Sequence, residues 1–206
     1  MPPITAMIKP VSGACNMRCR YCFYADEMKN RACAVRPPMS LETLETVVRR
    51  ALVYAEGQAN FIFQGGEPTL IGLDFYRRLI EFQRRYGGRN VEINNMLQTN
   101  GYELSDDMIA FFAENHFLLG VSLDGCPAAH DLMRPDARGE GTYARVKGTI
   151  ERLKEAGAEY NILCVVNAEV AARADETLEA LSPYRYLQFI PCLDALEGGA
   201  GDYALS

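Results

Sequence analysis

The sequence predicts an α/β protein, a partial (β/α)6 barrel of parallel strands that is TIM-like but incomplete. Three features of the chain indicate it. Short β-rich runs alternate with segments of helical period from end to end. Strict alternation of this kind means parallel strands joined by right-handed crossovers. Polar or glycine-rich residues follow most strands at their C-terminal ends, the shared face on which β/α barrels build sites. An open doubly wound sheet would gather them at one switch point instead.

The six β-rich runs are residues 4–8, 60–63, 91–97, 117–123, 160–166 and 186–190. Leu41, Leu44, Val47, Val48, Ala51, Leu52 and Ala55 form one apolar stripe at helical spacing, opened by Ser40 as N-cap. Phe75, Leu79, Ile80 and Phe82 outline a second helix. Ser105 caps a third, with Asp106 and Asp107 in the first turn, where the helix dipole favours negative charge. Residues 142–156 make a fourth, ended by Gly157. Residues 170–181 make a fifth, stopped by Pro183. The first strand runs into a cysteine loop, and the second into Gln64-Gly65-Gly66-Glu67-Pro68-Thr69. The third ends in Gln98-Thr99-Asn100-Gly101, the fourth in Ser122-Leu123-Asp124-Gly125, the fifth in Asn167 and the sixth in Pro191-Cys192-Leu193-Asp194.

Composition narrows the function classes. With 206 residues, 49% of them hydrophobic and 23% charged, the chain reads as one soluble globular domain with a real core. A formal charge of −6 and the lack of a Lys/Arg run argue against broad contact with nucleic-acid phosphates. No stretch approaches the ~20 apolar residues of a membrane span. The N-terminus lacks a basic start followed by an apolar run, so a cytoplasmic protein is expected. Seven cysteines are present, an odd number, with Cys15, Cys19 and Cys22 inside eight residues. A disulfide framework would be paired and spread; a thiolate-ligated metal in a reducing compartment fits better.

Three thiolates this close can converge on one metal centre. A [4Fe–4S] cluster normally takes four cysteines, one per iron. Three leave one iron open to chelate a small molecule and pass it an electron. Structural zinc would need a fourth ligand, for which Cys33 is the nearest candidate; His116 and His130 lie far off in sequence. A thiol–disulfide pair would leave Cys15 unexplained.

The spacing Cys15-x3-Cys19-x2-Cys22, with Tyr21 before the last cysteine, resembles the signature of the radical S-adenosylmethionine superfamily. Gly65-Gly66-Glu67 is similar to that family's glycine-rich motif. More narrowly, the chain resembles the anaerobic sulfatase-maturating enzymes. The matches are IKPVSGACNMRCRYCFY, FQGGEPTL, LQTNG, VSLDG with His130 and Arg134 following, YNILCVV and LQFIPCLD. The resemblance implies a [4Fe–4S] cluster on Cys15, Cys19 and Cys22 whose open iron binds S-adenosylmethionine. One electron, from a flavodoxin- or ferredoxin-type donor, then releases methionine and a 5′-deoxyadenosyl radical. That radical abstracts hydrogen from a cysteine or serine in an unfolded sulfatase segment, which becomes Cα-formylglycine.

The resemblance also implies roles for single residues. Gly66 lets the backbone approach the methionine end, though a plain strand-to-helix turn would also want glycine. Arg134, with its planar fork, holds the cofactor carboxylate together with Ser122; otherwise it is a surface arginine. Tyr21 and Leu193 line the adenosine part or pack the core. Tyr24 and Gln64 face the peptide, and Gln98 ends a strand on the same face. Asp124 and Asp194 suit turns as well as polar contacts. His130 is read as structural, and Cys33, Cys126, Cys164 and Cys192 as free thiols.

Members of this family are longer. They continue into a cysteine-rich SPASM domain with two further clusters and the aspartate that deprotonates substrate. The resemblance therefore places the catalytic base beyond Ser206, and no residue of this sequence is assigned that role. Residues 1–196 are accordingly expected to form the core domain, with 197–206 a linker toward such a domain. Maturation of another peptide, or a non-catalytic iron–sulfur module, are the other readings. Gly66, Ser122 and Arg134 argue against the module, because a pure cluster carrier would not need them.

Overall fold

The computed structural model describes residues 3–33, 35–88, 90–193, 203 and 205, and their side chains except that of Asp26. Six strands form one sheet: β1 (Ile4–Ile8), β2 (Gly57–Phe63), β3 (Val91–Thr99), β4 (Leu118–Ser122), β5 (Glu159–Val166) and β6 (Leu187–Pro191). All neighbouring pairs are parallel, and the order in the sheet is the order in the chain. That order separates the two candidate architectures. A doubly wound sheet reverses its direction at a switch point. Here nothing reverses, so right-handed crossovers carry the helices that pack on the sheet to the same face. The result is a half-barrel, with β1 and β6 as its two edges.

Eight α-helices occur among the described residues: α1 (Phe23–Lys29), α2 (Leu41–Tyr54), α3 (Leu73–Tyr86), α4 (Asp106–Glu114), α5 (Pro127–Met133), α6 (Tyr143–Glu155), α7 (Ala168–Ala172) and α8 (Ala174–Leu181). Five were expected, and the differences have local causes. α1 and α5 span only seven residues each, too few to display a helical period. α5 is opened by Pro127, whose missing N–H costs nothing in the first turn. The single helix expected over 170–181 is two. Asn167 starts α7 earlier by accepting the N–H groups of Glu169 and Val170, both at 3.0 Å. The chain then breaks at Arg173, whose guanidinium takes the Glu169 carbonyl at 3.2 Å. Ser40 and Ser105 cap α2 and α4 as expected, at 3.1 and 3.2 Å.

The core lies between the helices and one face of the sheet. Alternate strand residues point there: Ala59, Phe61 and Phe63 of β2, Leu119 and Val121 of β4, Ile162 and Cys164 of β5. Leu44, Val48 and Leu52 of α2 and Val146, Ile150 and Leu153 of α6 meet them. Each Val, Leu, Ile or Phe among them contributes roughly 1.5–3 kcal/mol through burial. Tyr76 of α3 is the centre of an aromatic cluster. Its ring stands edge-on to Phe63, Phe75, Phe112 and Phe117, with centroids 5.1–6.1 Å away. Its buried hydroxyl donates to the Pro68 carbonyl at 2.9 Å. That bond ties the short 3-10 turn Pro68–Ile71, which follows the glycine motif, to the core.

Tyr76→Phe keeps the ring and strands the buried Pro68 carbonyl. We expect a loss of about 1–3 kcal/mol by urea denaturation, against less than ~0.5 kcal/mol for Tyr54→Phe on the exposed side of α2.

Candidate functional site at the carboxyl ends of the strands

The cysteine loop leaves β1 without regular structure, and neighbouring strand ends hold it. Glu67 N–H donates to the Ala14 carbonyl at 2.8 Å. Arg18 N–H and Arg20 N–H donate to the carbonyls of Pro135 and Met133 at 2.8 and 2.9 Å, beside an antiparallel bridge between Met17 and Asp136. The Arg18 guanidinium caps the carbonyls of Cys15 and Met17 at 2.8 and 2.7 Å. Gly66 sits at φ +46°, and a Cβ there would collide with the Ala14 carbonyl. Only glycine lets the second strand's loop approach the cysteine loop this closely.

Cys15, Cys19 and Cys22 line one cavity of about 310 Å³. Among the described residues, no three His, Cys, Asp or Glu side chains form a group for a single metal ion. Three thiols lining one cavity supply the donor type a cube takes, one thiolate per iron. Burial pushes the Cys15 thiol up, and raises Cys19 to about 11 although the Arg134 charge opposes it. Coordination to a metal would displace those protons.

Arg134, at the C-terminal end of α5, is 4% exposed. Its Nη1 donates to the Tyr21 hydroxyl at 2.8 Å, and Tyr21 donates in turn to the Asp124 carboxylate. The other Asp124 oxygen accepts Val165 N–H at 2.9 Å. Asp124 N–H donates to His130 Nδ1 at 3.1 Å, so the ring proton belongs on Nε2. Nε2 reaches the Thr142 hydroxyl at 3.1 Å, and that hydroxyl donates to the Arg134 carbonyl at 2.7 Å. The chain of bonds closes on the residue where it began. It also explains why Thr142 makes no side-chain cap for α6: its hydroxyl is already engaged.

Electrostatics follow from this geometry. Burial disfavours the Arg134 charge, but Tyr21, Cys19 and Asp124 outweigh it and hold the guanidinium protonated, its pKa well above the usual value. Burial pushes the Asp124 carboxyl up while Arg134 pulls it back. Arg134 Nε is buried and finds no partner among the described residues. The same side chain lines the cavity. An unmet donor on a buried cation is costly. A ligand carboxylate would satisfy it, since the guanidinium fork matches that shape.

Glu67 ties the glycine motif to the end of β3. It is 1% exposed. Its Oε1 accepts Thr69 N–H, the Thr69 hydroxyl and the Thr99 hydroxyl at 3.1, 2.7 and 2.9 Å. Its Oε2 accepts Asn100 N–H at 2.7 Å. Burial pushes this carboxyl up, and the four bonds pull it back.

The ten residues given cluster, cofactor or peptide roles by the resemblance all line the same cavity: Cys15, Cys19, Cys22, Tyr21, Tyr24, Gln64, Gly66, Ser122, Arg134 and Leu193; Asp124 and His130 lie behind it. Leu193 stands at the rim, 73% exposed. Gln98 lines it too. The Lys9 ammonium lies 4.5 Å from the centroid of the Tyr24 ring. Leu163, Val165 and Ile190 add an apolar wall; they lie within the matched segments YNILCVV and LQFIPCLD, which assign them no individual role. Cys126 and Cys164 are buried away from the cavity, whereas Cys192 lines it. Asp194, the glycine-rich stretch 197–201 and Ser206, beyond which the catalytic base is expected, lie outside the described residues.

His130 is fully buried and held neutral, mainly by desolvation and further by the Arg134 charge, so its pKa is well below the ordinary value. In the unfolded chain it protonates near pH 6.5. Its stabilising contribution is therefore complete above about pH 6.5 and is lost below it, at about 1.4 kcal/mol per pH unit. Urea denaturation at pH 7.5 and 5.5 should show that loss in the native sequence and in the exposed control His116→Asn, and a shallower one in His130→Gln. Equal pH dependence in all three would contradict the assignment.

The Radical SAM superfamily model matches residues 10–181. The chain is 44% identical over 198 residues to the cysteine-type anaerobic sulfatase-maturating enzyme of Clostridium novyi (strain NT), covering 95% of this chain and 53% of that one. It is 38% identical over 204 residues to the serine-type anaerobic sulfatase-maturating enzyme of Klebsiella aerogenes, covering 96% of this chain and 48% of that protein. Among solved structures it superposes on native anSMEcpe with bound AdoMet at a TM-score of 0.93 and 41% identity, over 98% of this chain and 56% of that one. The chain thus spans about half the length of the curated relatives it matches. The model match covers the cysteine loop, the glycine motif and the ends of β3, β4 and β5 that the fold brings to one cavity, and the chain belongs to the radical SAM superfamily.

Proposed function

We propose that this chain is the S-adenosylmethionine-cleaving core of an anaerobic sulfatase maturase, acting on a cysteine or serine in an unfolded sulfatase segment. The observation that carries the reading is the unmet Arg134 Nε on a side chain lining the same cavity as three cluster-type thiols. Similarity to both cysteine- and serine-type maturases supports the substrate class. So does the likeness to anSMEcpe solved with AdoMet and a Cp18Cys peptide, at a TM-score of 0.91.

In this reading Cys15, Cys19 and Cys22 hold the [4Fe–4S] cluster. The bound group supplies one-electron cleavage of S-adenosylmethionine into methionine and a hydrogen-abstracting 5′-deoxyadenosyl radical. The protein's own residues bind, orient and shield. Arg134 takes the carboxylate through its free Nε, with Ser122 beside it. Gly66 keeps the backbone close without a Cβ in the way. Tyr21, fixed between Arg134 and Asp124, and Leu193 border the adenosine. Leu163, Val165 and Ile190 keep water from the reacting centre. Tyr24 and Gln64 face the incoming peptide. Residues 1–196 form the radical-generating unit, and no residue of this sequence is assigned as the base for substrate oxidation. A flavodoxin- or ferredoxin-type donor in the cytoplasm supplies the electron. No helix among the described residues is long and apolar enough to cross a membrane.

Anaerobic reconstitution with iron and sulfide should load about four irons per chain. Dithionite and S-adenosylmethionine should then give 5′-deoxyadenosine. A full cluster without that product would overturn the reading. Cys19→Ala should lose the iron and Cys164→Ala should keep it; equal iron in both would contradict the ligand assignment.

A further inference from the structure

We infer that Asn100 is a positioning residue for the cluster: its side-chain N–H, donated to the Cys15 sulfur, raises the tendency of a cluster held there to accept an electron. The inference rests on the reading of the three thiols as cluster ligands.

Asn100 follows β3 and is 8% exposed. Its amide can face only one way. Oδ1 accepts Tyr102 N–H at 2.9 Å. Nδ2 therefore points at Asn16 Oδ1, 2.8 Å away, and at Cys15 Sγ, 3.7 Å away. Flipping the amide would break the Tyr102 bond and set its carbonyl oxygen against the Asn16 oxygen and the sulfur. The backbone is fixed as well, because Asn100 N–H is bonded to the buried Glu67 carboxylate. Cys15 Sγ also accepts Met17 N–H at 3.4 Å. The sulfur thus has two donors aimed at it, one from its own loop and one from the end of another strand.

A plain structural reading would make Asn100 an Asx turn that only shapes residues 100–102. That accounts for Oδ1 but leaves the direction of Nδ2 unused. Hydrogen bonds to sulfur are among the determinants of an iron–sulfur cluster's potential. Reduction adds negative charge that is shared by the ligating sulfurs. A donor dipole stabilises that charge more in the reduced state, so losing the donor lowers the potential.

The test is a redox titration of the reconstituted 206-residue chain, followed by electron paramagnetic resonance of the reduced cluster. Asn100→Ala should retain wild-type iron and show a roughly tenfold lower reduced-to-oxidised ratio at fixed potential, equivalent to about 59 mV for one electron. Asn16→Ala, which removes the other amide partner without touching sulfur, should stay within about twofold of wild type. Asn100→Ala with full iron and an unchanged midpoint would overturn the inference. Should that variant lose iron, Asn16→Ala labelled with 15N-asparagine decides: the reduced cluster should still couple to asparagine nitrogen, and no coupling would overturn the inference. Wild-type protein that takes up no cube would overturn the functional reading as well. A full, reducible wild-type cluster with no Asn100 effect removes this inference alone.

Discussion

The cysteine loop has no ladder of its own, so its shape depends on hydrogen bonds taken from its neighbours. Ordering such a segment costs about 1–2 kcal/mol per residue in backbone entropy. The offset comes from both sides of the half-barrel's mouth. Glu67, just after β2, holds the Ala14 carbonyl, while Met133 and Pro135, at and just after the end of α5, accept from Arg20 and Arg18. β2 is the sheet neighbour of β1, but α5 follows β4, three strands along. The loop therefore bridges the mouth, and its thiols are brought to the centre of the strand ends.

Buried charge does the rest of the positioning. Arg134, Asp124 and Glu67 are all nearly inaccessible. Breaking a buried pair by removing one member typically costs about 3–5 kcal/mol, because the other charge is left uncompensated. Here Asp124 and Glu67 are met at both oxygens, through Tyr21, Val165, Thr69, Thr99 and Asn100. Among the described residues, only Arg134 keeps a fully buried side-chain donor, its Nε, without a partner. Tyr21, Asp124 and the neutral ring of His130 make that donor rigid before any ligand arrives. Such preorganisation lowers what binding must spend on ordering the site. His130 and Thr142 touch neither thiols nor cavity, yet both hold the backbone on which Arg134 stands.

Much of this was legible in the sequence where the signal is local. The cysteine spacing, the glycine pair and the polar ends of the third and fourth strands each span only a few residues and reach the cavity, whereas Asn167 at the end of the fifth caps α7 instead. The long helices were visible through their apolar stripes and serine caps. Periodicity could not order the strands, because it carries no information about which strands pair. α1 and α5 are no longer than two helical turns, and the break at Arg173 depends on a side-chain bond to a carbonyl. The roles of Glu67, Asn100 and Asp124 were hidden for a different reason. Their partners lie far away in sequence: Asn100 meets Cys15, and Asp124 meets Tyr21. Asp124 was equally suited to a turn until the fold placed Tyr21 against it.

The proposed function turns on three thiols holding a cube whose fourth iron is left for a small molecule. Mössbauer spectroscopy of the 57Fe-reconstituted chain, with and without S-adenosylmethionine, tests this most directly. One iron in four should change its environment on addition, and three should not. A spectrum in which all four irons shift together, or none does despite full loading, would contradict it.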